Sequence, residues 1–468
     1  MSASDLSNSL SDDEGNHDVN TVEVEQESEY ETDIEIEDEC KEGFDPTGRT
    51  RYLRKCDELG VVPVSNFLAN LKNASCDLKH NRLGPKGMQA VARALIQNNY
   101  ITELILGDNA IQSEGSVYLA KLLRENLNIT KLDISENEIG SAGANSVARV
   151  FQENNSLLSI NLAENLFKDT DASVLAQALK RNGGLRHLNL SRNKFSKEAG
   201  ISLGNVIDVN TSLKTLDLSW NHLRGSGAIA IAKGLENNCS LHSLLLAWNG
   251  FGDDGACAVA KALMENNTLQ ELDLSNNRIT RQGCFALADA LKVNSSLKIL
   301  KIGRNQIGGD GAHALLSAIQ GNAETSIELV DMDGVVIEQQ TQSVLSKLLK
   351  CKPHFDISCG FSKSGGQLGQ DLQDVYNRRH RPKKYSAEYT IQVLKAYVKS
   401  KNLRLLDLFN QFDKDKSQSV SREELKRGFK SIDVPLSDKQ LDNFLREMDI
   451  DGDGEIDYSE FTWINDAS

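Results

Sequence analysis

An asparagine recurs every 28 residues through the middle of this 468-residue chain, and this period limits the possible folds more than any other feature. Nine repeats follow one another without insertion. Their asparagines are Asn81, Asn109, Asn137, Asn165, Asn193, Asn221, Asn249, Asn277 and Asn305. Because a fixed short period is typical of stacked supersecondary units, it overrides the three domains that the length alone would suggest.

Apolar residues at fixed distances before each asparagine predict a short strand. Positions −5 and −3 are apolar in every repeat, as Leu216 and Leu218 are before Asn221, and position −8 is Leu or Ile from Ile101 to Leu297. Alternation of this kind places side chains on one buried face of a strand. We expect the turn asparagine to pair its amide with backbone groups of the neighbouring turns.

The second half of each repeat predicts a helix. Positions +10 and +14 are aliphatic or Phe throughout, as at Val147 and Phe151, and this spacing places both on one helix face. Position +6 is Gly in seven of the nine repeats, which allows the helix starts to approach closely. Position +17 is always Asn, as at Asn126, where we expect a left-handed backbone to end the helix.

A strand and a helix in every repeat predict an α/β solenoid, with parallel strands on the concave side and helices on the convex side. The pattern L-x-x-L-x-L-x-x-N resembles the ribonuclease-inhibitor-like leucine-rich repeat family over residues 73–324. Residues 326–337 are interpreted as a degenerate closing repeat, with a helix over 338–350. The solenoid with its closing cap is therefore expected at 73–350, after an N-terminal helical cap at 46–72.

A calcium loop of the EF-hand type is predicted between Asp449 and Glu460, where the sequence matches D-x-D-x-D-G-x5-E at every required position. Dense oxygen ligands at fixed spacing are what a hard cation such as Ca²⁺ needs. Gly454 allows the sharp turn. The predicted ligands are Asp449, Asp451, Asp453, the carbonyl of Glu455, Asp457 and Glu460.

A second loop, residues 413–424, has the same spacing but fewer charges. Its predicted ligands are Asp413, Asp415, Ser417, the carbonyl of Ser419, Ser421 and Glu424. Gln418 replaces the turn glycine, so a left-handed backbone there would cost about 1–2 kcal/mol. We expect weaker calcium binding here, and a purely structural role stays open. Because the loops begin 36 residues apart, an all-α EF-hand pair is predicted over 386–468.

The flanking segments have biased compositions. Residues 1–40 hold 15 acidic residues and no Lys or Arg, so a disordered acidic tail is predicted over 1–45. The remaining charges balance, which argues against a generally basic nucleic-acid binder. A basic linker is predicted over 351–385, with a cluster at 378–384. This cluster is either a nuclear-import or acidic-partner patch, or a solvated linker that could fold back onto the tail.

Several classes of protein are not indicated. The start lacks a secretory pattern and no 18-residue apolar run exists, so no membrane association is expected. The scattered cysteines favour reduced thiols in a cytoplasmic protein, with nuclear or ciliary locations open. No phosphate loop, nucleophile elbow or dinucleotide fingerprint occurs, so no enzyme is predicted.

A partner surface is predicted on the solenoid rim, at the residues just before the turn asparagines. Trp220 and Trp248 occupy this position in adjacent repeats, about one strand spacing (~5 Å) apart. With Leu245 they form a small apolar centre, and the charged surround includes Arg192, Asp217, Asp273 and Arg304. This arrangement is typical of a binding footprint. The alternative is that the two rings only pack on each other.

The combination resembles leucine-rich repeat proteins that end in an EF-hand-like module, which implies protein binding rather than catalysis. The predicted function is a calcium-binding adaptor with unidentified protein partners on the concave face and rim. One alternative follows from a resemblance to the Ran GTPase-activating proteins, although here the acidic tail precedes the repeats. A ciliary or cytoskeletal structural component is a further alternative.

Overall fold

The computed structural model describes residues 45–352 and 355–361, and most of the chain between 394 and 461. The described residues of this last part are 394, 397–398, 405–417, 419–432, 441–442, 444–445, 448–449, 454–458 and 460–461. The predicted acidic tail up to residue 44 and the basic cluster at 378–384 lie outside the described residues. The domain boundaries given above stay predictions.

The chain divides into two compact units. One comprises Met1–Val336 with Ser358–Gly360, and the other Ile337–Ile357 with Phe361–Ser468. Among the described residues, no helix is both long and apolar enough to span a bilayer.

Eleven strands form one sheet in the order in which they occur along the chain. The strands are β1 Ser75–Asp77, β2 Glu103–Ile105, β3 Lys131–Asp133, β4 Ser159–Asn161, β5 His187–Asn189, β6 Thr215–Asp217, β7 Ser243–Leu245, β8 Glu271–Asp273, β9 Ile299–Lys301, β10 Leu329–Ile337 and β11 Asp356–Phe361. From β1 to β9 each strand pairs in parallel with the next at the 28-residue offset, so equivalent repeat positions form rows across the sheet. Between β9 and β10 the offset is 30 residues, since Leu329 lies opposite Ile299.

A helix follows each strand from β1 to β10. The helices of the first unit are α1 Arg49–Leu59, α2 Ser65–Asn70, α3 Gly84–Leu95, α4 Gln112–Glu125, α5 Gly140–Glu153, α6 Asp169–Leu179, α7 Lys197–Val209, α8 Ser226–Asn237, α9 Gly252–Glu265, α10 Arg281–Leu291 and α11 Gly308–Gly321. The second unit begins with α12 Gln339–Cys351. The sequence pattern therefore predicted the α/β leucine-rich repeat solenoid correctly.

Glycine at position +6 permits the close approach of neighbouring helix starts. At Gly143, an added Cβ would lie 2.4 Å from Ile139 Cγ2 and 3.2 Å from Ser113 Cα in α4. Both distances are shorter than ordinary van der Waals contact, so a larger side chain would force the helices apart.

The turn asparagines form a buried ladder, as predicted. The side-chain Oδ1 of Asn137 accepts the backbone N–H groups of Asn109, at 3.1 Å, and of Ile111, at 3.2 Å. Its Nδ2 donates to the carbonyls of Leu106, at 2.9 Å, and Ser135, at 2.8 Å. Each amide thus satisfies backbone groups of two repeats that water cannot reach.

The asparagines at position +17 do not have the left-handed backbone that the sequence pattern suggested. At Asn126, φ is −93° and ψ is 111°, an extended conformation. Its Nδ2 donates to the carbonyls of Leu95 and Asn98, and its Oδ1 accepts the N–H of Asn128 at 2.9 Å. The side chain therefore satisfies carbonyls at the end of the preceding helix, and the residue acts by side-chain bonding rather than as a backbone cap.

The C-terminal part contains short elements around an aromatic core. They are α13 Leu405–Phe412, β12 Ser419–Ser421, α14 Arg422–Ser431 and β13 Glu455–Asp457. Buried aromatic residues in this core include Phe412, Phe429, Phe444 and Phe461. Strands β12 and β13 are antiparallel, with Val420 opposite Ile456.

Candidate calcium loops and partner surface

The loop at 413–424 gathers three carboxylates that could hold a cation. Oxygens of Asp413, Asp415 and Glu424 all lie within 4.8 Å of one another. Helix α14 positions Glu424 in its first turn, where the Glu424 carboxylate accepts the N–H of Ser421 at 3.1 Å and that of Lys414 at 2.9 Å. Clustered oxygen donors of this kind suit a hard cation such as Ca²⁺.

Two of these carboxyl groups are held in the ionised form that a cation requires. Burial raises the pKa of Glu424, but hydrogen bonds from Ser421, Lys414 and Asp415 outweigh this and lower it below its usual value. Hydrogen bonds from Ser417 lower the pKa of Asp415. Both effects stabilise the charged carboxylates and therefore oppose protonation of the loop.

The side chains of two other predicted ligands of this loop form hydrogen bonds within it. Ser417 Oγ donates to the carbonyl of Ser419 at 3.0 Å, and Ser421 Oγ donates to Glu424 at 2.8 Å. Lys416 has a left-handed backbone, with φ 63°. Gln418, where a left-handed turn was predicted, lies outside the described residues.

The structure describes four of the six predicted ligands of the loop at 449–460. Asp449 Oδ2 accepts the N–H of Gly454 at 2.9 Å, and Gly454 has φ 89°, as its role in the turn requires. Asp457 Oδ1 accepts the N–H of Glu460 at 2.8 Å, and Glu460 Oε2 accepts the N–H of Asp457 at 3.0 Å. The other described ligand is Glu455, whereas Asp451 and Asp453 lie outside the described residues. The complete ligand set of this loop stays a prediction.

A side-chain contact joins the two loops beside the β12–β13 pair. Ser419 Oγ donates a hydrogen bond to Glu455 Oε2, and these residues occupy the seventh position of their respective loops. Only the backbone carbonyls of these residues were predicted as ligands from the sequence, and this side-chain link was not predicted. It lies next to the predicted pairing of Val420 with Ile456.

The residues just before the turn asparagines form what is here called the rim row. All nine have a left-handed backbone, with φ between 50° and 60°. They are His80, Asp108, Glu136, Glu164, Arg192, Trp220, Trp248, Asn276 and Arg304. This conformation was not predicted from the sequence. Its one local signal is the presence of His, Asp and Asn, which tolerate left-handed geometry better than bulky residues do.

Two members of the rim row form the tryptophan stack, Trp220 with Trp248. Their ring centroids lie 4.3 Å apart with an interplanar angle of 15°. Arg192 Cζ lies 5.0 Å from the Trp220 ring centroid, and Arg192 Nη1 pairs with Glu164 Oε1 at 2.9 Å. The two residues remain 44% and 42% exposed, so they still present apolar surface although their rings pack on each other.

The strand register aligns Asp217, Leu245 and Asp273 on β6, β7 and β8, on the sheet face opposite the buried leucines of these strands. These three residues are called the acid–leucine row. Burial raises the pKa of Asp217, although the N–H of Ser219 donates to its carboxylate. Asp273 adds to the rise and Arg192 opposes it.

Arg304, the other arginine predicted in the charged surround, forms an ion pair with the closing repeat. Its Nε pairs with Asp333 Oδ2 at 3.0 Å. The structure thus brings Arg192 onto the stack and Asp217 beside Leu245, while the guanidinium of Arg304 is engaged with Asp333 in the closing repeat.

Comparison with known families identifies both parts of the chain. A leucine-rich repeat model matches residues 97–120, 125–148, 185–204, 209–232, 237–260, 265–288 and 293–316. An EF-hand domain pair model matches residues 403–462. The chain is therefore a leucine-rich repeat protein with a C-terminal EF-hand pair, and the EF-hand pair indicates calcium binding.

Two curated relatives carry the same features in their names. The chain is 36% identical over 87 residues to an uncharacterized calcium-binding protein of Caenorhabditis elegans, a match covering 19% of this chain and 34% of that protein. It is 39% identical over 80 residues to leucine-rich repeat-containing protein 74B of Homo sapiens, covering 17% of this chain and 20% of that protein. The chain thus spans about a third of the first relative and a fifth of the second.

Among solved structures, one match is to the actin-binding site 2 of leiomodin-1. The TM-score is 0.28 at 18% identity, and the match covers 39% of this chain and 93% of that chain.

Proposed function

We propose that this protein is a calcium-binding adaptor that binds protein partners through the tryptophan stack and the open face of the sheet beside it. The family matches support a calcium-binding protein with a role in protein interaction. The alternatives of a GTPase-activating protein and of a ciliary or cytoskeletal component have no support from these matches.

The observation that carries the proposal is the exposure of both rings of the tryptophan stack. Large aromatic residues at the centre of a charged surround are the usual anchors of protein interfaces. Both tryptophans also have a left-handed backbone, with φ 57° for Trp220 and 59° for Trp248, and this conformation is unfavourable for bulky residues. The repeat geometry demands this conformation at every rim position, but not a tryptophan, since polar residues fill it elsewhere.

The EF-hand pair supplies the calcium-dependent part of the proposed function. We assign the main site to Asp449–Glu460, because five carboxylate ligands attract the cation more strongly than the three of the loop at 413–424. The link from Ser419 to Glu455 gives binding in one loop a direct physical path to the other.

The test is affinity capture with the full chain, in calcium and in chelator, followed by quantitative mass spectrometry. Trp220→Ala with Trp248→Ala should remove specific partners, whereas Glu136→Ala, at an equivalent rim position, should not. Circular dichroism should show that all variants fold. If the double tryptophan variant is folded and retains every partner, the proposed surface is wrong, and if chelator changes no partner, calcium does not regulate binding.

A further inference from the structure

The tryptophan stack has different chemistry at its two ends. At the Trp220 end, the guanidinium of Arg192 lies over the ring at 5.0 Å. At the Trp248 end, the next residue of the rim row is Asn276, which carries no charge. Trp248 is 42% exposed, so a second cation from outside the molecule has ring surface to cover.

The acid–leucine row, which lies three positions before the rim row in the same repeats, provides two carboxylates. Adjacent strands are ~4.8 Å apart, so Asp217 and Asp273 flank Leu245 at a separation of about 10 Å between strands. Each carboxylate accepts a backbone N–H at 2.8 Å, from Ser219 and Ser275 respectively. In the described part of the chain, neither forms an ion pair within 4.0 Å.

The two cations that interact electrostatically with these carboxylates, Arg192 with Asp217 and Lys301 with Asp273, form their ion pairs with other carboxylates. Arg192 pairs with Glu164 at 2.9 Å, and Lys301 pairs with Glu271 at 2.7 Å. Carboxylates therefore outnumber cations around Leu245. The raised pKa of Asp217 agrees with this excess, because burial and the charge of Asp273 both disfavour its ionised form.

We infer that the acid–leucine row and the exposed end of the tryptophan stack bind an arginine side chain within a basic segment of a partner polypeptide. This inference rests on the proposed partner surface and names the chemistry of its occupant. The aliphatic stem covers Leu245, the guanidinium plane lies against Trp248, and its N–H groups reach one of the two carboxylates, while the other attracts the remaining positive charge of the basic segment. Charge complementarity selects a basic segment, and the aromatic plane selects arginine over lysine, because a planar guanidinium stacks on a ring and binds carboxylates in a fork.

The experiment measures binding of the full chain to the labelled peptide Gly-Arg-Gly-Arg-Gly-Arg-Gly by fluorescence anisotropy. Two matched peptides replace every Arg with Lys or with neutral citrulline. The arginine peptide should bind about tenfold more tightly than the citrulline peptide and several-fold more tightly than the lysine peptide. Equal binding of the arginine and citrulline peptides would overturn the inference, and equal binding of the arginine and lysine peptides would overturn the preference for arginine.

Variants locate the site on the protein. Trp248→Ala should weaken binding of the arginine peptide about tenfold, and Asp217→Asn with Asp273→Asn should do the same while leaving the rings in place. Glu136→Ala removes an acidic rim residue in a distant repeat and serves as the control. If this control weakens binding as much as Asp217→Asn with Asp273→Asn, the attraction is general and the inferred site is wrong.

The outcomes also separate this inference from the proposed function. If the double tryptophan variant loses its protein partners while the wild-type chain does not prefer the arginine peptide, the surface stands and its arginine chemistry is wrong. If that variant retains both partners and peptide binding, the surface and the arginine site are both wrong.

Discussion

Asn277 Oδ1 accepts the backbone N–H of Asn249 at 3.2 Å, across a separation of 28 residues in the chain. The same oxygen accepts the N–H groups of Gly250 and Phe251, and Asn277 Nδ2 donates to the carbonyls of Leu246 and Ser275. One buried side chain thus satisfies backbone groups in two consecutive repeats. This explains why asparagine recurs at this position without exception, since Asp could not donate and a Ser hydroxyl has only one hydrogen to donate.

Replacing Asn277 with Ala should lower the free energy of unfolding by at least about 2 kcal/mol, because several buried backbone groups lose their partner. Urea denaturation followed by circular dichroism measures this. Asn128→Ala is the control, because Asn128 is exposed and its Nδ2 bonds only to the side chain of Asn99. A change there should stay within about 0.5 kcal/mol. Equal losses in the two variants would contradict the structural role given to the ladder.

Glu136→Asn should stabilise the protein by about 0.5–1 kcal/mol. Glu136 is exposed and has φ 57°, a left-handed conformation that Asn adopts at lower cost than Glu. The measurement is the shift of the urea midpoint. The matched variant is Glu125→Asn, which places the same residue in the last position of α4, where Asn has no advantage. A gain at Glu125 but none at Glu136 would show that backbone strain at the rim is not significant.

Asp217→Asn should stabilise the protein at neutral pH and have little effect in acid. Because burial raises the folded-state pKa of Asp217 above the unfolded value of 3.8, the folded state binds the proton more tightly than the unfolded state. The contribution of Asp217 to stability therefore increases as pH falls through the folded pKa towards 3.8. At neutral pH the ionised group opposes folding, and Asn removes that cost.

Thermal denaturation at neutral pH and at about pH 2.5 tests this expectation, since nearly all of the carboxyl is protonated in both states at the lower value. The matched variant is Asp273→Asn. The Asp273 carboxylate accepts the same kind of bond from a backbone N–H, but it is also attracted to the charge of Lys301. This variant should not gain stability at neutral pH. If Asp217→Asn is less stable than wild type at neutral pH, the carboxylate is favourable and the burial argument is wrong.

Isothermal titration of the full chain with Ca²⁺ should show one tight site, with a Kd of about 10⁻⁷–10⁻⁵ M if the protein is a sensor, and a weaker second site. Glu460→Gln should remove the tight site, because it loses a bidentate carboxylate. Glu424→Gln is the equivalent change in the other loop and should affect only the weaker site. If Glu424→Gln removes the tight site and Glu460→Gln does not, the order assigned to the two loops is wrong.

The sequence by itself determined the solenoid, because every repeat has the same local pattern of apolar residues and asparagine. The alternation of Leu216 and Leu218 specifies a strand, and Asn221 closes a turn that needs both a donor and an acceptor. The EF-hand pair could be predicted from the sequence equally well, since a calcium loop places its ligands within twelve consecutive positions. Local chemistry at fixed spacing leaves little for distant contacts to decide.

Only the tertiary structure determined the contacts between neighbouring repeats. Stacking at the 28-residue offset brings Trp220 to 4.3 Å from Trp248 and places Arg192 over the first ring. It also gives Asn126 an extended backbone, because its amide reaches the carbonyl of Leu95 in the previous repeat. Burial in the stacked repeats also raises the pKa of Asp217. These features depend on distances and burial between neighbouring repeats, which one repeat read alone does not contain.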